Sequence, residues 1–167
     1  YNYMMPQFSS SENKYINPKN ILLGLTIILI GIFKKIVLAD NLSINADYGF
    51  NNFDTINFLE SWITSISFTL QIYFDFSGYI DMALGASIIL GIELPINFNK
   101  PYLTYSLTEF WRNWHMTLSR WFKDYVYIPL GGSKSSNIKT YRNLIITMSI
   151  AGLWHGASLN FIIWGLL

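Results

Sequence analysis

The sequence contains no cysteine and little charge. Without a thiol there can be no disulfide, no thiolate zinc site, no cysteine nucleophile and no palmitoylation site. The compartment is not fixed by that, since a bilayer protein has little need of disulfides. Charged residues make up 13% of the 167, about half the share of an ordinary soluble domain. Apolar residues make up 51% and aromatic residues 17%, with a mean hydropathy of +0.30. A bilayer is therefore the expected environment. Neither sign of charge dominates: eleven Lys and Arg against ten Asp and Glu leave a net charge of +1, which removes a whole-protein electrostatic case for nucleic acid. Disorder and collagen-like or coiled-coil repeats are excluded by composition. The length suits about one domain. Histidine is also scarce, with two in the chain, His115 and His155. Forty residues apart and without the i, i+4 spacing of a zincin helix, they predict no metal site.

What is present is blocky hydrophobicity. Residues 21–33, continued by 36–39 beyond Lys34 and Lys35, supply about the 20 residues a hydrocarbon core requires, with the lysines able to snorkel if they sit near an interface. Residues 40–57 are polar and read as a loop. Two more apolar runs follow, 56–74 and 79–94, joined by Asp75-Phe76-Ser77-Gly78 and closed by Pro95. Residues 144–167 carry no Asp, Glu, Lys or Arg, and are the clearest expected span. The chain begins at Tyr1 and ends inside that apolar run, so residues 1–167 are expected to be the central part of a single larger membrane domain, truncated at both ends.

Between residues 101 and 142 the chain turns aromatic and basic. Ser106 with Glu109 has the form of a capping box, opening a predicted helix whose face carries Leu107, Phe110, Trp111, Trp114, Leu118, Trp121, Phe122 and Tyr125. Arg112, Met116, Arg120 and Lys123 lie opposite. This pattern suits an in-plane interfacial helix better than an amphipathic core helix of a soluble protein. Its excess of Lys and Arg predicts a cytoplasmic location. Gly131-Gly132-Ser133-Lys134 lacks P-loop spacing and reads as a plain turn.

Two histidines in unlike surroundings are the chemically pointed feature. His155 lies in the charge-free run, where desolvation favours a neutral imidazole, and hence a base. An ionisable residue in a span suggests function, but Gly152 and Gly156 around it also form a small-xxx-small packing pattern, and the residues alone leave both readings open. His115, beside Trp114 at the edge of the amphipathic face, reads by itself as an interfacial polar residue. Asp75 and Asp81, six apart, fix no common face and read as helix-end residues or partners of Arg or His. No G-x-S-x-G elbow is present.

Five blocks make the sequence resemble the bacterial membrane-bound O-acyltransferase family, particularly its polysaccharide O-acetyltransferase branch. They are Tyr73-Phe74-Asp75-Phe76-Ser77-Gly78-Tyr79 with Asp81-Met82-Ala83; Asn97-Phe98-Asn99-Lys100-Pro101-Tyr102; Phe110-Trp111-Arg112 with Trp114-His115; Trp121-Phe122-Lys123-Asp124-Tyr125-Val126-Tyr127-Ile128-Pro129-Leu130-Gly131-Gly132; and Gly152-Leu153-Trp154-His155-Gly156-Ala157. Phe33-Lys34-Lys35 followed by Ala39-Asp40 extends the likeness over nearly the whole chain. Lys123 stands where the family often has arginine, Asn113 where a second arginine is common, and Ile80 where a small polar residue is usual. Lys123 keeps the charge but loses the planar fork, so bidentate phosphate binding is not expected there.

The resemblance implies an all-α, polytopic membrane helix bundle with in-plane amphipathic helices, placed in the bacterial inner or plasma membrane. It implies His155 as the catalytic histidine and His115 as the second functional polar residue. The implied reaction moves an acetyl group from acetyl-CoA, a donor substrate and not a resident cofactor, towards an extracytoplasmic acetyltransferase partner and a polysaccharide acceptor. His155 would be the base, His115 would orient a substrate or stabilise the oxyanion, and Lys100, Arg112, Arg120 and Lys123 would meet the phosphates of CoA. Alternatives are D-alanyl transfer to teichoic acid from a carrier-protein thioester, and a non-enzymatic transporter or structural membrane subunit in which His155 relays protons or packs and the basic helix binds lipid.

Overall fold

The structure is a computed structural model that describes residues 5–9, 17–134 and 136–166. Among the described residues every regular element is helical. The chain divides into two compact units, residues 1–95 and 96–167, each described separately below.

The first unit holds α1 (Met5–Ser9), α2 (Pro18–Ile32), a π-helical stretch Phe33–Ala39, α3 (Asp40–Asn51) and α4 (Phe58–Ile89). Asn17 caps α2, its side chain accepting from the Lys19 amide at 3.0 Å, with Pro18 in the first turn, where its missing N–H costs nothing. Helix α4 begins at a reciprocal capping box: the Glu60 amide donates to Asn57 and the Asn57 amide donates to Glu60. Residues 40–51 are helical, not a loop; the helix runs without a break from Pro18 to Asn51, and among the described residues it is the one helix both long and apolar enough to cross a membrane. Likewise the runs on either side of Asp75–Gly78 are one helix, because neither Ser77 nor Gly78 interrupts the backbone ladder.

Helices α2 and α4 pack through facing glycines. A Cβ on Gly31 would sit 2.6 Å from the Gly78 carbonyl oxygen, and one on Gly78 2.8 Å from the Gly31 carbonyl oxygen; Gly24 and Gly85 oppose each other in the same way. Since 24 meets 85 and 31 meets 78, the pair is antiparallel, and both helices carry their glycines seven apart. Only a residue without a side chain allows such an approach, the usual contact between helices in lipid.

Lys34 and Lys35 are both engaged in ion pairs. Lys34 Nζ donates to Asp81 at 2.6 Å, and Lys35 Nζ lies 2.7 Å from Asp75 and 2.9 Å from Asp40. The π-helical stretch begins at Phe33, and its wider turn lets neighbouring lysines both reach carboxylates. Asp75 and Asp81 are thus mid-helix partners of lysine, not helix-end groups.

The second unit holds a short 3₁₀ turn Pro101–Leu103, α5 (Leu107–Asn113), α6 (Met116–Phe122), a π-helical stretch Lys123–Tyr127, α7 (Asn137–His155) and α8 (Leu159–Leu166). Two expected helices are broken here. The amphipathic helix stops at Asn113 and restarts at Met116. The charge-free run is not one span: α7 ends at His155, Gly156 is extended, and Ser158 starts α8 by accepting from the Asn160 amide at 3.3 Å. The Phe161 ring folds over the break, 2.8 Å from where a Cβ on Gly156 would lie. Gly152 and Gly165 let α7 and α8 pack backbone to backbone, with a Cβ on Gly152 coming 3.4 Å from the Gly165 Cα.

Candidate functional site

The break between α5 and α6 is built by the segment before it. Asn99 donates its amide to the Asn113 carbonyl at 3.1 Å, and the Met116 amide donates to the Asn97 carbonyl at 3.0 Å. An end carbonyl of α5 and a first amide of α6, groups a helix cannot satisfy itself, are thereby paired. Aromatic rings hold the segment in place: Phe98 meets Trp114 edge to face at 5.0 Å, Phe110 stacks on Trp114 at 5.6 Å, and Tyr102 stacks on Phe110 at 5.9 Å. At the start of the helix, Ser106 Oγ accepts from the Glu109 amide, while the Glu109 carboxylate returns to the Tyr105 amide, one residue earlier than in a regular capping box.

His115 sits in this break with φ 43° and ψ 52°, a left-handed conformation that costs a side-chain-bearing residue about 1–2 kcal/mol. Among the described non-glycine residues it shares a positive φ with Lys100 alone, at φ 48°. Such outliers persist where surrounding structure holds them, and they gather at functional sites. The His115 Nδ1 lies 3.2 Å from Asn97 Oδ1, the same oxygen that accepts from the Thr117 amide at 3.2 Å and from the Thr117 hydroxyl at 2.5 Å. Partial burial, and then the neighbouring His155, hold the His115 pKa below its ordinary value.

His155 is the last residue of α7 and is exposed in this chain, not enclosed by a continuous span. Its ring lies among aromatics: Trp164 at 4.7 Å and Trp154 at 5.0 Å, both T-shaped, and Phe161 stacked at 6.4 Å. Trp154 also makes a T-shaped contact with His115 at 6.2 Å. The two histidines therefore flank one indole, and each stands at a helix break.

Lys100, Arg112, Arg120 and Lys123 are all exposed. Arg112 lies in the last turn of α5, while Arg120 and Lys123 come about one and two turns beyond His115. Among the described residues the ion pairs all belong to Lys34 and Lys35, so these four exposed cations have no carboxylate in salt-bridge range among them. Gly131 and Gly132, both at positive φ, make the expected turn, and the Gly132 carbonyl accepts from the buried Asn143 side chain at 3.1 Å. Asn97 was not singled out by sequence reasoning, although it opens one of the resemblance blocks.

The family model for membrane-bound O-acyltransferases matches residues 1–167. The peptidoglycan O-acetyltransferase of Helicobacter pylori is 54% identical over 164 residues, covering 98% of this chain and 31% of that protein. The probable alginate O-acetylase AlgI of Azotobacter vinelandii is 49% identical over 85% of this chain and 28% of its own length. The teichoic acid D-alanyltransferase of Bacillus subtilis is 38% identical over 59% of this chain and 27% of its own. The chain thus spans less than a third of the length of these curated relatives. With a match over its full length and with these relatives, the chain belongs to the membrane-bound O-acyltransferase family.

Proposed function

We propose that the protein containing this chain is a multi-pass inner-membrane O-acetyltransferase that takes acetyl groups from acetyl-CoA for O-acetylation of a cell-surface polysaccharide. Residues 1–167 would form the central catalytic part of its helix bundle. The observation that carries the reading is the pair of histidines on either side of Trp154, within a chain of this family.

A hydroxyl attacks a thioester carbonyl poorly unless its proton is removed as the new bond forms. In this reading His155 removes that proton. The hydroxyl oxygen then bonds the acetyl carbon, the carbon–sulfur bond breaks, and the proton passes to the departing thiolate. His115 orients a substrate or stabilises the charge developing on the carbonyl oxygen. Lys100, Arg112, Arg120 and Lys123 draw the CoA phosphates to a cytoplasmic face, consistent with their exposure and lack of carboxylate partners. The acetyl group would pass onward to an extracytoplasmic acetyltransferase and then to polysaccharide hydroxyls. D-alanyl transfer is the second reading; its named relative matches at lower identity over a smaller share of the chain.

The test is transfer from labelled acetyl-CoA by membranes holding the intact protein. At matched expression and insertion, His155→Ala is expected to lower transfer by about 10²- to 10⁴-fold, the range for a general base. Full activity in that variant would make His155 a packing residue. Gradient-coupled uptake with no thioester consumed would identify a transporter.

A further inference from the structure

We propose that Asn97 is a positioning residue whose amide oxygen fixes the His115 imidazole with its proton on Nδ1, so that the lone pair able to take a proton lies on Nε2. The importance of that lone pair rests on the reading of His115 as the residue that orients a hydroxyl substrate, because an unprotonated Nε2 accepts and cannot donate to an oxyanion. The tautomer itself does not rest on that reading.

The argument turns on which end of the amide faces the helix. A carboxamide can be turned over so that its nitrogen and oxygen exchange places. Here the backbone amide of Thr117 decides, because an N–H can only donate, so the atom 3.2 Å from it is the oxygen. That same oxygen faces His115 Nδ1 at 3.2 Å. An amide oxygen only accepts, so Nδ1 must carry a hydrogen; the other neutral tautomer would set two lone pairs against each other. The Thr117 hydroxyl is a third donor to the same atom.

The acceptor is also held in place. The Asn97 carbonyl is tied to Met116, the Asn99 amide is tied to Asn113, and Phe98 between them packs on Trp114. His115 can meet this acceptor because its backbone is left-handed at the break. A doubly protonated ring would donate from Nδ1 as well. Burial and His155, the titratable group that bears on His115 from α7, disfavour that charged form. Asn97 thereby does two jobs at once, capping α6 in place of His115 and selecting the tautomer of the residue it displaces from that role.

The experiment is nitrogen-15 NMR of the intact protein, labelled at histidine and held in lipid bilayers, with His115→Gln identifying the resonances. At neutral pH the expected spectrum has a protonated Nδ1 and an unprotonated Nε2 for His115. Asn97→Leu is expected to shift the population towards the Nε2-protonated form. It should also lower kcat for acetyl transfer about tenfold to a hundredfold, as for loss of an orienting partner of an imidazole, with the donor KM within about twofold. Asn97→Asp keeps an acceptor and a cap, so it should keep the Nδ1 proton. Its added negative charge should move the acid limb of the pH–rate profile to higher pH.

A wild-type neutral ring with its proton on Nε2 in place of Nδ1, or a tautomer indifferent to Asn97→Leu, overturns the proposal. If the tautomer shifts while transfer persists, the assignment stands and the role of His115 in transfer falls. Should Asn97→Leu fail to fold, the wild-type and Asn97→Asp spectra still decide, since a His115 ring without a proton on Nδ1 in either would be fatal.

Discussion

The two units solve opposite problems with similar residues. In the first, long helices run unbroken, glycines bring backbones together, and Lys34 and Lys35, on the stretch facing α4, are paired with carboxylates. In the second, helices stop and restart at His115 and at Gly156, a side-chain-bearing residue is held left-handed, and among the described residues Lys100, Arg112, Arg120 and Lys123 have no carboxylate in salt-bridge range. Regular backbone and neutralised charge are what stability in an apolar medium requires. Broken backbone and unneutralised charge are costs that a fold tolerates where it binds or reacts. On the function proposed above, the contrast makes the first unit framework and the second the place for chemistry.

The strongest test of the framework is Gly85→Leu. Its Cβ would meet the Gly24 carbonyl oxygen and the side chain of Ile28, and the backbone atom cannot rotate away. Overpacking costs about 1–3 kcal/mol when side chains can yield; with a backbone atom in the way, the expected result is loss of folded, inserted protein. Recovery of protein resistant to proteolysis at the wild-type level would break the comparison at its first element.

A somewhat smaller effect is expected from Asp81→Ala. Lys34 and Asp81 are largely enclosed, with side-chain exposures of 24% and 21%. Removing one partner of an enclosed pair leaves an uncompensated charge, at a cost of about 3 kcal/mol. The double variant Lys34→Met with Asp81→Leu should recover most of that loss, measured as thermal stability in detergent. If the single variant is as stable as the parent, the pair is not part of the framework and its place on the π-helical stretch needs another explanation.

The framework was partly legible in the sequence, and the site less so. The apolar run through α2 follows from local rules and is present, as does, in the second unit, the capping signal at Ser106 and Glu109. The breaks are not local. Apolar spacing on both sides of Trp114 and His115 stays compatible with one helix, and what stops it is pairing with residues 97–99, which no periodicity records. At Gly156 the decisive contact is Phe161 folding back, again a tertiary event. The lysine pairs escaped notice because an α-helical spacing does not bring adjacent residues to a common partner helix, whereas a π-helical turn alters that geometry. Asn97 escaped for a related reason: its value lies in one oxygen shared by Thr117 and His115, which are distant in sequence and meet it only through the fold.

The gentlest test uses pH, and it separates the units through His115. Its folded pKa lies below the ordinary value of about 6.5, so between those two values the unfolded chain binds more protons than the folded one. Stability therefore rises with pH in that window. It should be fully present above the ordinary histidine value, fall as the pH drops towards the lowered folded value, and level off below it. His115→Gln should remove this component of the profile. His155→Gln should shrink it without abolishing it, because the larger cause is burial of His115 and the smaller is the charge on His155. Denaturant midpoints measured across the mildly acidic range, with tryptophan emission as the probe of unfolding, would show the slope. A midpoint profile unchanged by His115→Gln would mean that the imidazole is no more confined folded than unfolded. The strained backbone at the α5–α6 break would then hold the chain in place without enclosing the ring, and the second unit would lose its claim to a prearranged site.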